Sequence, residues 1–333
     1  MKNTTKIDFY SFRVRDNYEA ILKALGATFA SHPYEVSLKE NKGGWKGYDV
    51  SYSLFLSDMK VGIVARGGES QKGWAYVGID GTGCSWIDDW DRAQQASIDL
   101  CEGFDLKRVD IALDTYGDAD AFKNTCKAYE EGLFSPPGCG RPPKSKVITS
   151  SRPEDGNTIY VGNRERDKFY RGYEKGKQML GATVTAAMAK DPEAFDWSDW
   201  VTKTQPVLDA DGHVSLVGVW DWFRHEVEFK PKTQPLPDDL IDRRDQYFTG
   251  SFPYLAKVLE GVEPELLSLS RQKKIRTDLA VSLFNIRRMW GKTLFTALAA
   301  YEGDIGAVWA KICADEHNEK LLAAGVLLVP HDV

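Results

Sequence analysis

The segment Arg108–Thr115 reads R-V-D-I-A-L-D-T and alternates charged or polar side chains with apolar ones. Because side chains two residues apart on a β-strand point to the same face, this pattern predicts a strand with one apolar and one charged face. The charged face carries Arg108, Asp110 and Asp114. The apolar face is predicted to lie against a hydrophobic core.

A second segment, Trp222–Lys230, reads W-F-R-H-E-V-E-F-K and alternates in the same way. Its charged positions are Arg224, Glu226, Glu228 and Lys230. If the two strands are neighbours, their acids form a cluster of hard oxygen ligands that suits Mg²⁺ or Mn²⁺ better than zinc. The alternative is a solvated sheet face crossed by ion pairs, and the spacing alone favours that alternative.

A third segment, Tyr160–Lys177, reads Y-V-G-N-R-E-R-D-K-F-Y-R-G-Y-E-K-G-K and is rich in basic side chains and tyrosines. A strand is predicted over Lys168–Lys175, and on it Arg171, Tyr173 and Lys175 share one face. A phenol, with a pKa of about 10, is a weak nucleophile until a nearby cation stabilises its anion. The pattern therefore makes Tyr173 a candidate nucleophile towards phosphate.

The simpler interpretation of a strand tyrosine is structural. Most such residues pack their rings and hydrogen-bond their hydroxyl groups at the surface. We expect this simpler role for Tyr160 and Tyr170.

The whole chain predicts an α+β fold, with a mainly antiparallel central sheet flanked by helices and a helical C-terminal region. Ile7–Val14 is predicted to be the opening strand, and Tyr48–Leu56, Lys60–Ala65 and Trp74–Ile79 a meander between glycine-rich turns. Three prolines between residues 231 and 237 mark a linker, after which apolar side chains recur at spacings of three and four. We therefore predict one domain over residues 1–232 and a helical region over residues 233–333.

Composition limits the classes of function. The 333 residues contain no run approaching the roughly 18 apolar residues of a membrane span, and the start lacks a secretory signal, so we expect a cytoplasmic protein. The cysteines and histidines lack zinc-ligand spacing. A net charge of -6 counts against a protein that coats DNA, yet residues 141–180 carry a local +5 and residues 271–292 a local +6. Two basic segments in an acidic chain predict localised contact with phosphate.

Five segments, ordered along the chain, resemble the replication initiation factors, the trans-acting proteins that start rolling-circle replication in filamentous phages and small bacterial plasmids. They are I-D-F-Y-S-F at 7–12, W-A-Y-V-G-I-D-G-T-G-C at 74–84, R-V-D-I-A-L-D at 108–114, T-I-Y-V-G-N-R-E-R-D-K-F-Y-R-G-Y-E-K-G-K-Q at 158–178 and W-F-R-H-E-V-E-F-K at 222–230. The most specific is the R-x-Y-x-K pattern within Gly162–Lys175. The resemblance covers roughly residues 7–232, in which residues 181–219 look like an insertion.

The resemblance implies an origin-specific, single-strand DNA endonuclease that also rejoins strands. Tyr173 would attack the origin phosphodiester and become linked to the 5′ end, leaving a free 3′-OH as primer. Arg171 and Lys175 would assist it. Residues 1–232 would form the catalytic domain, and residues 233–333 would bind duplex DNA or mediate dimerisation.

Enzymes of this family are metal-dependent, so the resemblance also implies Mg²⁺ or Mn²⁺ as cofactor. By position, Asp110 and Glu226 are the first choice as ligands, and Asp114 and Glu228 complete the set of four acids.

The implied partners are single- and double-stranded DNA at a replication origin, the helicase and polymerase of a bacterial host, and a second copy of the chain in a homodimer. No membrane partner is expected. The predicted DNA contacts are Arg164, Arg166, Lys168, Arg224, Lys230, Arg271, Lys273, Lys274 and Arg276.

Two other functions compete with the nickase. One is a non-catalytic DNA-binding regulator of replication or transcription on the same scaffold, in which the acids are structural. The other is a carbohydrate-binding protein that uses some of the ten tryptophans. Only the DNA-binding functions predict a salt-sensitive affinity for DNA.

Overall fold

The computed structural model describes residues 4–135, 142–208, 214–232, 235–237, 239–267 and 290–314, and positions 283, 286, 316, 317 and 322. The strands are β1 (Lys6–Arg15), β2 (Val36–Glu40), β3 (Val50–Leu56), β4 (Met59–Arg66), β5 (Trp74–Ile79), β6 (Phe104–Thr115), β7 (Ser145–Ile148), β8 (Thr158–Val161), β9 (Lys168–Glu174), β10 (Thr204–Leu208), β11 (Val214–Gly218) and β12 (Phe223–Phe229). The helices are α1 (Tyr18–Thr28), α2 (Gly81–Cys84), α3 (Trp90–Leu100), α4 (Ala121–Glu130), α5 (Lys175–Lys190), α6 (Ser198–Val201), α7 (Arg244–Thr249), α8 (Pro253–Val258) and α9 (Ile305–Ile312), and residues 290–300 are also helical.

Ten strands form one sheet in the order β2-β3-β4-β5-β1-β6-β12-β9-β8-β7, and β10 pairs with β11 in a separate hairpin. Each of these pairings is antiparallel. With helices beside the sheet and further helices towards the C-terminus, the predicted α+β fold is confirmed. The strand order also places β12 between the other two strands that carry the predicted site.

The hydrophobic core lies on one face of this sheet. The apolar positions of the central strands, such as Val109, Ile111 and Val227, are fully buried. They belong to the same core cluster as Leu25 of α1 and Leu255 of α8. Because helices cover that face, the charged positions of the same strands are directed to the other face, as their alternation predicts.

Helix α1 begins after Asn17, a residue type that favours the N-terminal cap of a helix. Asn17 adopts an extended conformation, and its side chain accepts a hydrogen bond from the Ala20 N–H, which satisfies one free donor of the first turn. The helix continues through Gly26 and ends at Thr28. A glycine ends a helix where it adopts a positive φ, and Gly26 is not among the residues that do so.

The chain divides into two compact units, Met1–Leu267 and Ser268–Val333. The short helices α7 and α8 therefore belong to the first unit, together with the sheet. The second unit contains the helix over residues 290–300 and α9. The boundary predicted at residues 232 and 233 remains a prediction. Within the described ranges, no helix is both long and apolar enough to cross a lipid bilayer.

A buried carboxylate joins the start of β1 to α7. Asp245 accepts hydrogen bonds from the N–H of Thr4 at 2.7 Å, the N–H of Thr5 at 2.8 Å and the hydroxyl of Thr5 at 2.5 Å. Both Thr5 and Asp245 are buried. The first strand is thus fixed to a helix that lies about 240 residues later in the chain.

We expect Asp245→Ala to lower the free energy of unfolding by about 2–3 kcal/mol, because it leaves a buried N–H and a buried hydroxyl without an acceptor. Urea denaturation measures the change. Asp99→Ala is the control, since Asp99 is exposed on α3 and accepts a hydrogen bond from the side chain of Gln95. A loss equal to that of the control would contradict the structural role of Asp245.

Candidate active site

The register of β6, β12 and β9 brings the predicted site residues together. Glu228 lies opposite Asp110, and Arg224 lies opposite Asp114. On the other side of β12, Arg224 lies opposite Tyr173, and Glu226 lies opposite Arg171. Directly opposed residues of antiparallel strands share a face, so the acids and the tyrosine lie on one polar surface.

Each of the four predicted acids is paired with an arginine. Arg108 donates to Asp110, with Nε to Oδ1 at 2.7 Å, and lies 2.8 Å from Glu228. Arg171 lies 2.5 Å from Glu226. The ion pairs match part of the alternative predicted from the spacing, but the face is not solvated at these acids, since Asp110, Glu226 and Glu228 are buried.

Arg224 holds two carboxylates at once. It donates to Asp114 through Nε at 2.6 Å and through a terminal nitrogen at 2.9 Å, and to Asp8 through the other terminal nitrogen at 2.6 Å. The side chain of Arg224 is 7% exposed. Lys6 also lies 2.7 Å from Asp114. Burial alone would raise the pKa of Asp114, but the hydrogen bonds and charges of Arg224 and Lys6 lower it below its usual range.

Negative charge remains incompletely balanced further along the same face. Burial raises the pKa of Asp110 to about 7 against the lowering effect of Arg108, and Glu226 and Glu228 raise it further. Burial also raises the pKa of Glu226, although Arg171 opposes this. Both carboxylate oxygens of Glu228 are buried and lie near cations without a well-directed hydrogen bond. This crowding of carboxylates favours either a proton or an additional cation.

The carboxylates of this face can be assessed as ligands for a metal ion. Among the described residues, no three Asp, Glu, His or Cys side chains converge on one point that could hold an ion. The chemistry nevertheless fits Mg²⁺ or Mn²⁺, since Asp110, Glu226 and Glu228 supply carboxylate oxygens that repel one another. Their arginine partners would have to turn away for the oxygens to converge.

Tyr173 lies almost buried on this face, with 6% of its surface exposed. The guanidinium of Arg171 lies 4.7 Å from the centre of its ring, and Nζ of Lys175 lies 5.8 Å from it. Burial raises the pKa of Tyr173 well above its usual value, although Arg224 and Arg171 lower it. Arg171 therefore acts in the expected direction, but desolvation of the phenolate outweighs the attraction of the cations.

Lys175 lies where the chain changes conformation. The predicted strand to Lys175 ends one residue earlier, at Glu174, and Lys175 opens α5. Burial lowers the pKa of Lys175, and the nearby charge of Arg224 lowers it further. A lysine that loses its proton more readily is suited to accept one from a neighbouring phenol.

The predicted DNA contacts fall into separate places. Arg164 lies 3.7 Å from Glu228, and Lys230 lies 2.5 Å from the same carboxylate. Arg166 is exposed in the loop after β8. Lys168 lies on the opposite face of β9 from Tyr173 and donates to the carbonyl oxygen of Ser251. The remaining four, Arg271, Lys273, Lys274 and Arg276, lie outside the described residues.

Asp8 is a member of the site that the sequence analysis did not identify. Strict alternation places Asp8 on the same face as the buried Tyr10, but the register of β1 on β6 shifts between Ile7 and Phe9. This irregularity lets the Asp8 side chain, 23% exposed, reach Arg224 on the polar face. An acid within an apolar opening strand is the signal that could have indicated it.

Comparisons with known proteins match a part of the chain that carries some of these residues. Residues 104–191 match the replication initiation factor family. The match contains β6 and β9, and with them Asp110 and Tyr173, and it confirms the resemblance to the replication initiation factors. Asp8 and β12 lie outside the matched residues.

The chain is also similar over part of its length to a solved structure described as that of the rolling circle replication initiator protein from Geobacillus stearothermophilus. The alignment covers 68% of this chain and 74% of the other, with a TM-score of 0.44 and 18% sequence identity. No curated protein matches the chain.

The apolar side of β12 generates a prediction about pH. His225 is fully buried, lies between Phe223 and Val227, and its Nδ1 lies 2.8 Å from the hydroxyl of Tyr170. Burial lowers the pKa of His225 to about 3. Because the unfolded histidine binds a proton at a higher pH than the folded one, this residue stabilises the fold above about pH 6.5 and the stabilisation is lost as the pH falls towards 3.

We expect His225→Gln to flatten the decline of stability in acid. Between pH 7.5 and pH 5, the wild type should lose about 2 kcal/mol more of its free energy of unfolding than the variant does. Urea denaturation at the two pH values measures the difference. His317→Gln is the control, because His317 is exposed. Equal declines in all three proteins would show that His225 is not buried in its neutral form.

Proposed function

We propose that the protein is a rolling-circle replication initiator that nicks one strand of origin DNA with Tyr173 and later rejoins it. The observation that carries this proposal is that Tyr173 of β9 lies directly opposite Arg224 of β12, on the same face as the acids. The replication initiation factor match over residues 104–191 includes this tyrosine. Arg171 and Lys175 lie near the ring of Tyr173 and supply positive charge for a phosphate.

The reaction is an in-line displacement at phosphorus. A bond forms between the Tyr173 oxygen and the phosphorus atom, and the bond from phosphorus to the 3′ oxygen breaks. The phenolic proton passes to a base of the enzyme, and the departing 3′ oxygen takes up a proton to become the free 3′-OH. Reversal of these steps rejoins the strand, because the phosphotyrosine retains a phosphodiester of similar energy.

Two groups are suited to accept the phenolic proton. The pKa of Glu226 is raised and that of Lys175 is lowered, and both changes bring the group closer to the neutral range in which proton transfer is efficient. Since burial keeps Tyr173 protonated, removal of its proton has to accompany the attack.

Arg171 and Arg224 hold the phosphate and stabilise the charge that develops on its oxygens. The Nε of Arg171 is buried and has no hydrogen-bond partner among the described residues, so it retains a donor for a ligand. Asp8 and Asp114 fix Arg224 in place from two sides. Asp114 is thus assigned to positioning of Arg224 as much as to metal binding.

Asp110, Glu226 and Glu228 would hold Mg²⁺ or Mn²⁺, with Asp114 as the fourth acid. When bound, such an ion supplies a positive charge that stabilises the phosphoryl oxygens and the leaving 3′ oxygen. The chain's own contribution is to keep these carboxylates together on one face and shielded from water.

The proposed partners follow from this activity. They are single- and double-stranded DNA at an origin, and the helicase and polymerase of a bacterial host in whose cytoplasm the protein would act. The region after residue 232 is proposed to bind duplex DNA or to form a homodimer, with Arg271, Lys273, Lys274 and Arg276 contacting phosphates.

The competing function is a DNA-binding regulator without catalysis. The observation that favours it is the complete pairing of the four acids with arginines, which a purely structural cluster would also have. A covalent adduct between protein and DNA separates the two functions.

We expect Tyr173→Phe to reduce nicking of a supercoiled plasmid that carries the cognate origin by at least about a thousandfold, because the nucleophilic oxygen is lost. Nicking in Mg²⁺ or Mn²⁺ is followed on agarose gels, and the covalent adduct by denaturing electrophoresis of labelled DNA. Tyr170→Phe is the matched control, since Tyr170 lies on the same strand but faces the core. The assignment fails if Tyr173→Phe nicks as fast as the control.

We expect Glu226→Gln to reduce nicking by about a hundredfold or more while origin binding stays within about twofold of the wild type. Glutamine keeps a hydrogen-bond acceptor for Arg171 but removes the charge. The control is Glu165→Gln, because Glu165 is exposed and pairs with Lys232 away from the tyrosine. Unchanged nicking by Glu226→Gln would assign the acids a structural role.

A further inference from the structure

A groove of about 450 Å³ lies at the edge of the large sheet, where β7, β8 and β9 meet. This volume is within the range of small-ligand sites. Three cations and two aromatic rings line it, together with smaller residues. The lining residues are Lys144, Ser145, Lys146, Ile148, Tyr160, Gly162, Arg164 and Phe169.

The strand register places this groove on the same face as the candidate active site. Tyr160 lies directly opposite Arg171, and Lys146 lies directly opposite Tyr160. Phe169 lies opposite Glu228 on β12. The groove therefore lies on the face that carries Tyr173, and Phe169 of its lining belongs to β9, the strand of that tyrosine.

The charge of the groove is positive and mostly unbalanced. Within the described part of the chain, neither Lys144 nor Lys146 is in an ion pair, and the contact of Arg164 with Glu228 is long, at 3.7 Å. An acidic chain that keeps exposed lysines free at one place favours a polyanion there.

The aromatic part of the groove is a stacked assembly. The rings of Tyr160 and Phe169 lie 5.7 Å apart at an interplanar angle of 21°, and the guanidinium of Arg164 lies 5.2 Å from the centre of the Phe169 ring. Tyr160 is half-buried and Phe169 is buried, so the tyrosine ring and the guanidinium plane are the surfaces that a ligand can reach. Both kinds of surface stack on nucleobases.

We propose that this groove binds single-stranded DNA next to the phosphate that Tyr173 attacks, with a base on Tyr160 and the backbone on Lys144, Lys146 and Arg164. A duplex is a poor fit, because its bases are stacked on one another and do not offer a free face to an aromatic ring. The inference rests on the proposed function for the identity of the substrate. It adds to that function a binding site for the unpaired strand.

Binding of a fluorescein-labelled oligothymidylate of about eight nucleotides tests the groove without any nicking step. The measurement is fluorescence anisotropy with the full chain over a range of salt concentrations. Tyr160→Leu should bind roughly 5- to 30-fold more weakly, because leucine keeps apolar bulk but cannot stack. Tyr160→Phe should restore binding, since the ring and not the hydroxyl carries the interaction.

The lysines are tested through the salt dependence. Lys146→Gln should make the slope of log K against log salt shallower by about 0.7, the value for one lost phosphate contact to a single strand. The matched controls are Tyr34→Leu and Lys123→Gln, because both residues are exposed and neither lines the groove. The controls should leave the affinity and the slope unchanged.

Two results overturn the proposal. One is binding of the oligonucleotide by Tyr160→Leu and Lys146→Gln within twofold of the wild type. The other is an equal loss of affinity for duplex DNA of the same length, which would make the groove a general phosphate surface.

Tyr173→Phe distinguishes a failure of the groove from a failure of the nickase. If this variant nicks like the wild type, the nucleophile assignment fails while the anisotropy data for the groove variants still decide the groove. If Tyr160→Leu and Lys146→Gln bind the oligonucleotide like the wild type while Tyr173→Phe fails to nick, the proposed groove is wrong and the proposed nickase is not affected.

Discussion

The pairing of Arg224 with Asp8 and Asp114 is the interaction on which the site depends. A charged side chain that is 7% exposed is tolerated only when its charge and its donors are satisfied. The two carboxylates come from different strands, β1 and β6, so this single arginine connects both to β12. The position of Tyr173 across from Arg224 then follows from the register of β9.

The other two arginines of the face have a different exposure. The side chains of Arg108 and Arg171 are 28% and 30% exposed, and each pairs with an acid that is almost completely buried. A phosphate approaching from solvent can therefore displace the acids from these two arginines more readily than it can displace Asp8 and Asp114 from Arg224. If Arg108 and Arg171 turned to a phosphate, Asp110 and Glu226 would lose the positive charge that compensates them. Both carboxylates already have raised pKa values. Such carboxylates bind a divalent cation or take up a proton more strongly.

Much of this arrangement could be predicted from alternation alone. The period of two residues correctly grouped Asp110 and Asp114 on β6, and Arg224 and Glu226 on β12, because a strand buried on one face allows little freedom of register. The same rule would have separated Lys168 from Tyr173, since the two residues differ by an odd number of positions. Lys168 was included among the predicted DNA contacts because of the local charge of the segment. Local charge does not tell which face of the strand a side chain occupies.

Other features depend on contacts that no local pattern encodes. The register shift that turns Asp8 towards Arg224 is set by how β1 fits on β6, and the extent of burial around Tyr173 is set by neighbours from several strands. Burial decided the sign of the tyrosine's pKa change, so a sequence that shows only nearby cations predicts the wrong sign. The helices predicted after residue 237 are present in the described residues as α7, α8, residues 290–300 and α9, and the rest of the pattern lies outside the described ranges.

The raised pKa of Tyr173 is compatible with a nucleophile that has to remain inactive without its substrate. A tyrosine with a lowered pKa would carry a reactive anion beside Arg171 and Arg224, and that anion would neutralise their charge. In the present arrangement the arginines are held by carboxylates instead, and the phenol stays neutral. Because DNA brings negative charge to the arginines, it changes the balance on which the proton of Tyr173 depends. In the free protein, the ion pairs between arginines and carboxylates resemble those of a purely structural cluster. To bind, DNA phosphates would have to replace the carboxylates as partners of these arginines.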